Sequence, residues 1–370
     1  MKKINLLLAV AFSICSLNAF ALTKAEILAT FKNGTPAVQS ISALSFGENG
    51  ILFLGDSKSA IVFVLDTKDD TPASGEVKIE MSAVDEAMAA ALGTTVDQIN
   101  LQDMAVNPIS KVVYLAVHNN DGDPILLKLV NEAFENVSLQ GVQYSDVSIN
   151  DPIAADATDR RGRSQRVWAI SDLGYANGKV LVSGLSNKEF GSTFRSIDFP
   201  FTSDQQQSSL EIYHAAHGQF ETWSPIKAFT TSTVSGKSSL IASYTCTPLV
   251  VIPLEMMKNG EHVKGRTVAE LGNWNTPLDM IVMEKEGNSY LVMANSNRAV
   301  MKIAFSDIES FEGTITEPVV ERSGTSGVDF INLPYVNVVQ MDKLDDTQFI
   351  MLQRKSNGSL DFVTASDRWL

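Results

Sequence analysis

One pattern returns along this chain roughly every 50 to 65 residues: an apolar strand, a Gly, Asn or Asp turn, a second apolar strand, a polar turn, and a third strand. Six copies carry it: "ISALSFGENGILFLGDSKSAIVFVLDT" (41–67), "DMAVNPISKVVYLAVHNNDGDPILLKLV" (103–130), "VWAISDLGYANGKVLVSGLSNKEFGSTFRSIDF" (167–199), "IKAFTTSTVSGKSSLIASYTCTPLVVIPL" (226–254), "LDMIVMEKEGNSYLVMANSNRAVMKIAF" (278–305) and "VNVVQMDKLDDTQFIMLQRKSNGSLDFVTA" (336–365). Turn chemistry repeats with the apolar pattern, as in Ser186-Asn187-Lys188, Ser296-Asn297-Arg298 and Ser356-Asn357-Gly358. A unit this small cannot bury both faces of its own sheet, so neighbouring units must cover one another.

A more variable fourth strand follows several copies: "GEVKIEM" (75–81), "NVSLQGV" (136–142), "SSLEIYH" (208–214) and "TVAEL" (267–271). Four antiparallel strands per unit without helical crossovers predict an all-β fold, a single β-propeller over 22–370. Six blades are expected, or seven if 308–333 holds a degenerate unit. "PAVQSI" (36–41) is expected to give the last blade its outer strand and close the ring. Short helices are expected at 22–31 and 82–93, the second capped by Ser82, stopped by Gly93, and packed on the propeller wall through Val84, Met88 and Leu92.

Residues 1–21, with Lys2-Lys3, a short apolar run and Ala19-Phe20-Ala21, read as a secretory signal peptide, so the protein is expected to be exported, periplasmic or extracellular. Cleavage removes Cys15 and leaves Cys246 as a lone thiol, so stability must come from a core and not from a disulfide. A formal net charge of −14 argues against nucleic acid and anionic lipid surfaces as partners, and no downstream segment suggests membrane insertion.

The repeats resemble the blades of NHL-like, YVTN-like and quinoprotein-like propellers. "YTCTPLV" (244–250) with "ELGNWNTPLDMI" (270–281) is similar to a group of exported bacterial propellers without an assigned role. The resemblance implies the fold; a quinone-contact tryptophan series is absent, and the fold by itself assigns no function.

In a four-stranded meander, the loop between second and third strands and the loop to the next blade emerge on one face. That face collects the candidate ligand-binding residues Asp103, Arg160, Arg161, Arg163, Asn275, Asp279 and Arg298. "DRRGRSQR" (159–166) suits carboxylate or phosphate groups, or is a solvated loop neutralising nearby acids. Asp103 and Asp279, in "LQDMAV" and "PLDMIV", are expected roughly opposite each other, where with Asn275 and Asn297 they would offer oxygen ligands to Ca²⁺ as in six-bladed lactonase-like hydrolases, or brace backbone N–H groups.

His214 and His217 in "YHAAHGQFETW", with Cys246 in the adjacent loop, are the candidate ligands for a transition metal. Residues three apart point to opposite sides of a strand, so the two histidines share one ion only if the chain turns between them. His217 beside Cys246 could equally activate a thiolate, and ordinary structural roles remain open for all three. No Gly-rich phosphate loop, GxSxG elbow, CxxCH or paired CxxC pattern occurs. The sequence thus predicts an exported propeller that binds a small molecule or protein on its polar face, with a metal-dependent enzyme or metal-handling protein as the alternative.

Overall fold

The computed structural model describes residues 22–370; the expected signal peptide lies outside the described residues. Six sheets, numbered as blades one to six in chain order, begin with the strands Ala43–Phe46, Ile99–Val106, Asp172–Ala176, Ile226–Val234, Pro277–Lys285 and Val338–Lys343. These innermost strands surround a central channel. The fold is the six-bladed β-propeller the repeat predicts, and 308–333 adds only the helix Phe305–Ser310 nearby and two short edge strands.

Spatial order departs from chain order. Each inner strand touches two others, and the contacts run blade one, three, four, five, six, two and back to one. Six apolar layers between blades give the same ring. Because alternate residues of a strand face opposite sides, Ile51 and Phe53 of blade one pack against Val180 and Val182 of blade three, whereas Leu52 and Leu54 pack against Tyr114 and Ala116 of blade two. Blades three and four share Phe194 and Tyr244; four and five share Ile241 and Met293; five and six share Val292 and Phe349; six and two share Leu352 and Leu115. Burial on both faces explains the continuous apolar runs in the middle strands, each fully buried aliphatic or aromatic side chain contributing about 1.5–3 kcal/mol.

The swap of blades one and two follows from who completes them. After three strands of blade one the chain crosses to blade six, where residues 76 to 81 lie along Leu360–Ser366: Met81 N–H donates to Phe362 O at 3.2 Å, Phe362 N–H returns to Met81 O at 2.8 Å, and Thr364 Oγ1 both accepts from Ile79 N–H and donates to Ile79 O. The chain then builds blade two, backs up, and lays Val142–Ser148 against Ile61–Asp66 as blade one's fourth strand. "GEVKIEM" therefore serves blade six and not blade one, and blade two takes Ala133–Asn136 as its outer strand. Residues 36 to 41 do not close the ring; Ser40 Oγ and Gln39 N–H donate to Asp56, and Ile41 N–H donates to His118.

The helix Val84–Ala91 packs Val84 and Met88 into the layer between blades two and six, as expected. Its cap differs: Ala83, in a left-handed conformation at φ 53°, occupies the N-cap position, and Asp361 accepts its N–H at 3.0 Å. The N-terminal helix is Lys24–Leu28, closed by a Thr23–Glu26 capping box. Among the described residues, no helix is long and apolar enough to cross a membrane.

Candidate metal centre

Strand Gln205–His214 ends blade three, and the chain turns at once: His217 N–H donates to His214 O at 3.1 Å and Gly218 N–H to Ala215 O at 3.1 Å, with Gly218 at φ 64°. That turn folds the two imidazoles together, 3.8 Å between ring centroids. Cys246 arrives from the second-to-third strand turn of blade four. One potential ligand atom from each of His214, His217 and Cys246 lies within 4.8 Å of the others. Ligands at metal–nitrogen and metal–sulfur lengths near 2.1 and 2.3 Å stand about 3.4 to 3.8 Å apart, so a small contraction brings the three onto one ion.

Glu221 organises the histidines. Its Oε2 lies 2.9 Å from His214 Nδ1 and its Oε1 2.6 Å from His217 Nδ1. Burial works against this carboxylate, yet hydrogen bonds with His214, Ser224 and His217 hold it well below its ordinary range. An ionised carboxylate only accepts, so each Nδ1 carries a hydrogen, and in the neutral imidazole that a metal requires each Nε2 presents a lone pair. His214 is 1% exposed, and its Nε2 is buried without a hydrogen-bond partner. A buried nitrogen left unpaired in this way is costly unless something else occupies its lone pair.

The cysteine is held at some expense. Cys246 and Thr247 take φ values of 66° and 63°, two consecutive left-handed residues without glycine, one of them β-branched. Cys246 N–H donates to Asn275 O at 2.9 Å, Thr247 N–H to Tyr244 O at 2.8 Å, and Thr247 Oγ1 to Gly272 O at 2.9 Å. Next to the turn, Glu270 is fully buried; burial first, then the Glu221 charge, push its carboxyl up to about 7, and its Oε1 has no partner while Oε2 accepts Ala216 N–H. Nothing in the local sequence marked Glu221 or Glu270 for these positions; only "HGQFE", with acid four residues after histidine, hinted at the first.

The proposed oxygen site rearranges. Asp103 and Asp279 are not opposite: blade six stands between their blades, and its Gln340, oriented with the amide nitrogen toward them, donates to Asp103 Oδ1 and Asp279 Oδ2 at 3.2 Å each. Both belong to a set of braces. Asp103 accepts Leu44 N–H of blade one at 2.6 Å, Asp172 accepts Phe229 N–H of blade four at 2.8 Å, Asp279 accepts Met341 N–H of blade six at 3.0 Å, and Asp342 accepts Val106 N–H of blade two at 2.7 Å. Asn275 is spent elsewhere: it donates to Asn295 and accepts Asn297 N–H, beneath the Cys246 turn.

The arginine loop makes contacts of its own. Asp159 accepts Arg161 N–H and Arg163 N–H and pairs with the Arg163 side chain, Arg166 donates to Ile153 O and Lys58 O, and Arg160, Arg161 and Arg163 are exposed. Arg298, in blade five, donates to Asn273 O at 3.2 Å. The structure gathers the metal candidates and disperses the arginines.

No protein-family model matches the sequence, and no curated protein matches it. Among solved structures, the chain is similar to one in the crystal structure of the mitotic checkpoint complex, at 10% identity and TM-score 0.37, with 98% of this chain and 99% of that one covered. It is also similar to Raptor of Chaetomium thermophilum, at 12% identity and TM-score 0.33, spanning 91% of this chain and 26% of that one.

Proposed function

We propose that this is an exported propeller that binds one transition-metal ion on its polar face through His214, His217 and Cys246, as a metal-handling protein. One observation carries the reading: Glu221 takes Nδ1 of both histidines and leaves the buried Nε2 of His214 without a partner in a cluster with Cys246. Two imidazoles and a thiolate suit zinc or copper better than calcium, and a carboxylate behind the imidazoles fixes their tautomer and raises their basicity. With three protein ligands and His217 45% exposed in its side chain, a fourth position faces solvent. Such a position lets an ion exchange or accept an incoming ligand.

Elemental analysis of protein purified from its native compartment, followed by titration of stripped protein with Co²⁺, tests this. Near one equivalent of metal, and a cobalt–thiolate charge-transfer band lost in Cys246→Ser, is expected. Metal-free protein that also shows no such band sinks the reading.

A further inference from the structure

Blade three carries a second polar constellation, built from residues other than the metal ligands. Gln207, Ser209 and Glu211 alternate along Gln205–His214 and so share one side of the strand. His262–Lys264 lies parallel beside it, placing His262 level with Ser209 and Lys264 level with Glu211. Ser209 Oγ is 2.8 Å from His262 Nδ1, and His262 Nε2 is 3.1 Å from Glu211 Oε2. Lys264 Nζ, 2.7 Å from Glu211 Oε1, holds that carboxylate below its ordinary range. Glu211 accepts only, so Nε2 carries a hydrogen, and in the neutral imidazole Nδ1 turns its lone pair to the Ser209 hydroxyl. Phe190 stacks on the imidazole at 4.1 Å and fixes the ring plane.

A cleft of about 510 Å³ opens on this serine, lined by Asn150, Lys188, Phe190, Gln207 and Ser209 among others. Gln207 Oε1, on a lining residue, is buried and unpartnered, and so is Nη1 of Arg195, the cross-strand neighbour of Gln207. Arg195 has no exposed surface and is held by Asn150 O at 2.9 Å, with no carboxylate within salt-bridge distance among the described residues. Asp151, Glu189 and Glu261 also line the cleft, and the Asp151 charge acts on Arg195, so the buried guanidinium offsets acidic neighbours where negative charge develops.

We propose that Ser209, His262 and Glu211 are a nucleophile, a general base and a positioning carboxylate that hydrolyse a small carboxylic ester in this cleft. Ser209 Oγ bonds to the acyl carbon, its proton passes to His262 Nδ1, and the carbonyl π pair moves onto oxygen. The pair returns as the bond to the alcohol oxygen breaks, and the Nδ1 proton leaves with the alcohol. Water then gives its proton to Nδ1, attacks the acyl carbon, and releases Ser209 with that proton; ester and water become acid and alcohol. None of the metal ligands takes part.

Purified protein treated with a fluorophosphonate probe should carry one adduct, on the peptide containing Ser209, and should hydrolyse p-nitrophenyl acetate. Ser209→Ala and His262→Gln should each lower kcat at least about a hundredfold with the fold intact by circular dichroism. Glu211→Gln should lower kcat with KM unchanged, and treatment with a metal chelator should leave hydrolysis as it was, separating this site from the metal centre. No adduct on the folded protein, or an adduct and hydrolysis that persist in Ser209→Ala, overturns the proposal.

Discussion

Asp342 of blade six accepts the backbone N–H of Val106 in blade two at 2.7 Å, joining positions 236 residues apart. The bond is one of four of the same kind, each running from an inner-strand aspartate to the next blade around the ring. Each carboxylate also accepts the N–H of the residue that follows it. The propeller thus closes through its channel by carboxylate braces as well as through its apolar layers.

Those braces titrate in an unusual direction. Burial pushes Asp103 up to about 7, Asp172 to about 8 and Asp342 to about 6, and raises Asp279 well above its ordinary value, with neighbouring carboxylates adding to the rise at Asp103, Asp172 and Asp279. Each side chain keeps some contact with the channel lumen, so water tempers the effect. The folded state holds these protons where the unfolded chain has released them, so their stabilisation is full below about pH 4 and is lost as pH rises through 6 to 8. The urea midpoint should therefore fall between pH 5 and pH 8. Asp103→Asn should flatten that fall, and a midpoint that rises over the same interval contradicts the assignment.

Closure on the outer edge rests on the crossing segment. Thr364→Val keeps the shape of the side chain but removes the group that pairs with both N–H and C=O of Ile79 at 2.8 and 2.9 Å. An unsatisfied backbone group costs about 1–3 kcal/mol, so chemical denaturation should show a loss of that size. A change within about 0.5 kcal/mol, as expected of an unconnected surface site, would show that residues 76 to 81 do not hold blade six.

The blades were legible in the sequence because a short apolar run bounded by Gly, Asn and Asp turns, and repeated six times, is stable only as a strand covered on both faces. Their order was not. "GEVKIEM" and the strand around Tyr144 have the pattern of outer strands, but nothing in either specifies whose edge it joins; that choice depends on contacts such as Thr364 with Ile79, 285 residues away. Asp103 and Asp279 stood out through matching flanks, while Asp172 in "SDLGYA" and Asp342 in "QMDKL", which make the same braces, did not. His217 and Cys246 were placed together by loop topology alone. The part of Glu221 was hidden, because it depends on a turn that brings two rings to one carboxylate.

That carboxylate supplies a prediction for the proposed metal centre that leaves all three candidate ligands in place. Glu221→Gln keeps the size of the side chain but presents one oxygen and one NH2 where two acceptors stood, so it cannot take Nδ1–H from both His214 and His217. One imidazole then loses its fixed tautomer and part of its basicity. Losing a carboxylate behind a ligating histidine typically weakens metal binding about 10- to 100-fold, so competition with a zinc chelator should show a drop in that range. Cys246→Ser, which removes the thiolate itself, should weaken binding further. Equal affinity in Glu221→Gln and the parent protein would mean that the histidines do not bind through Nε2.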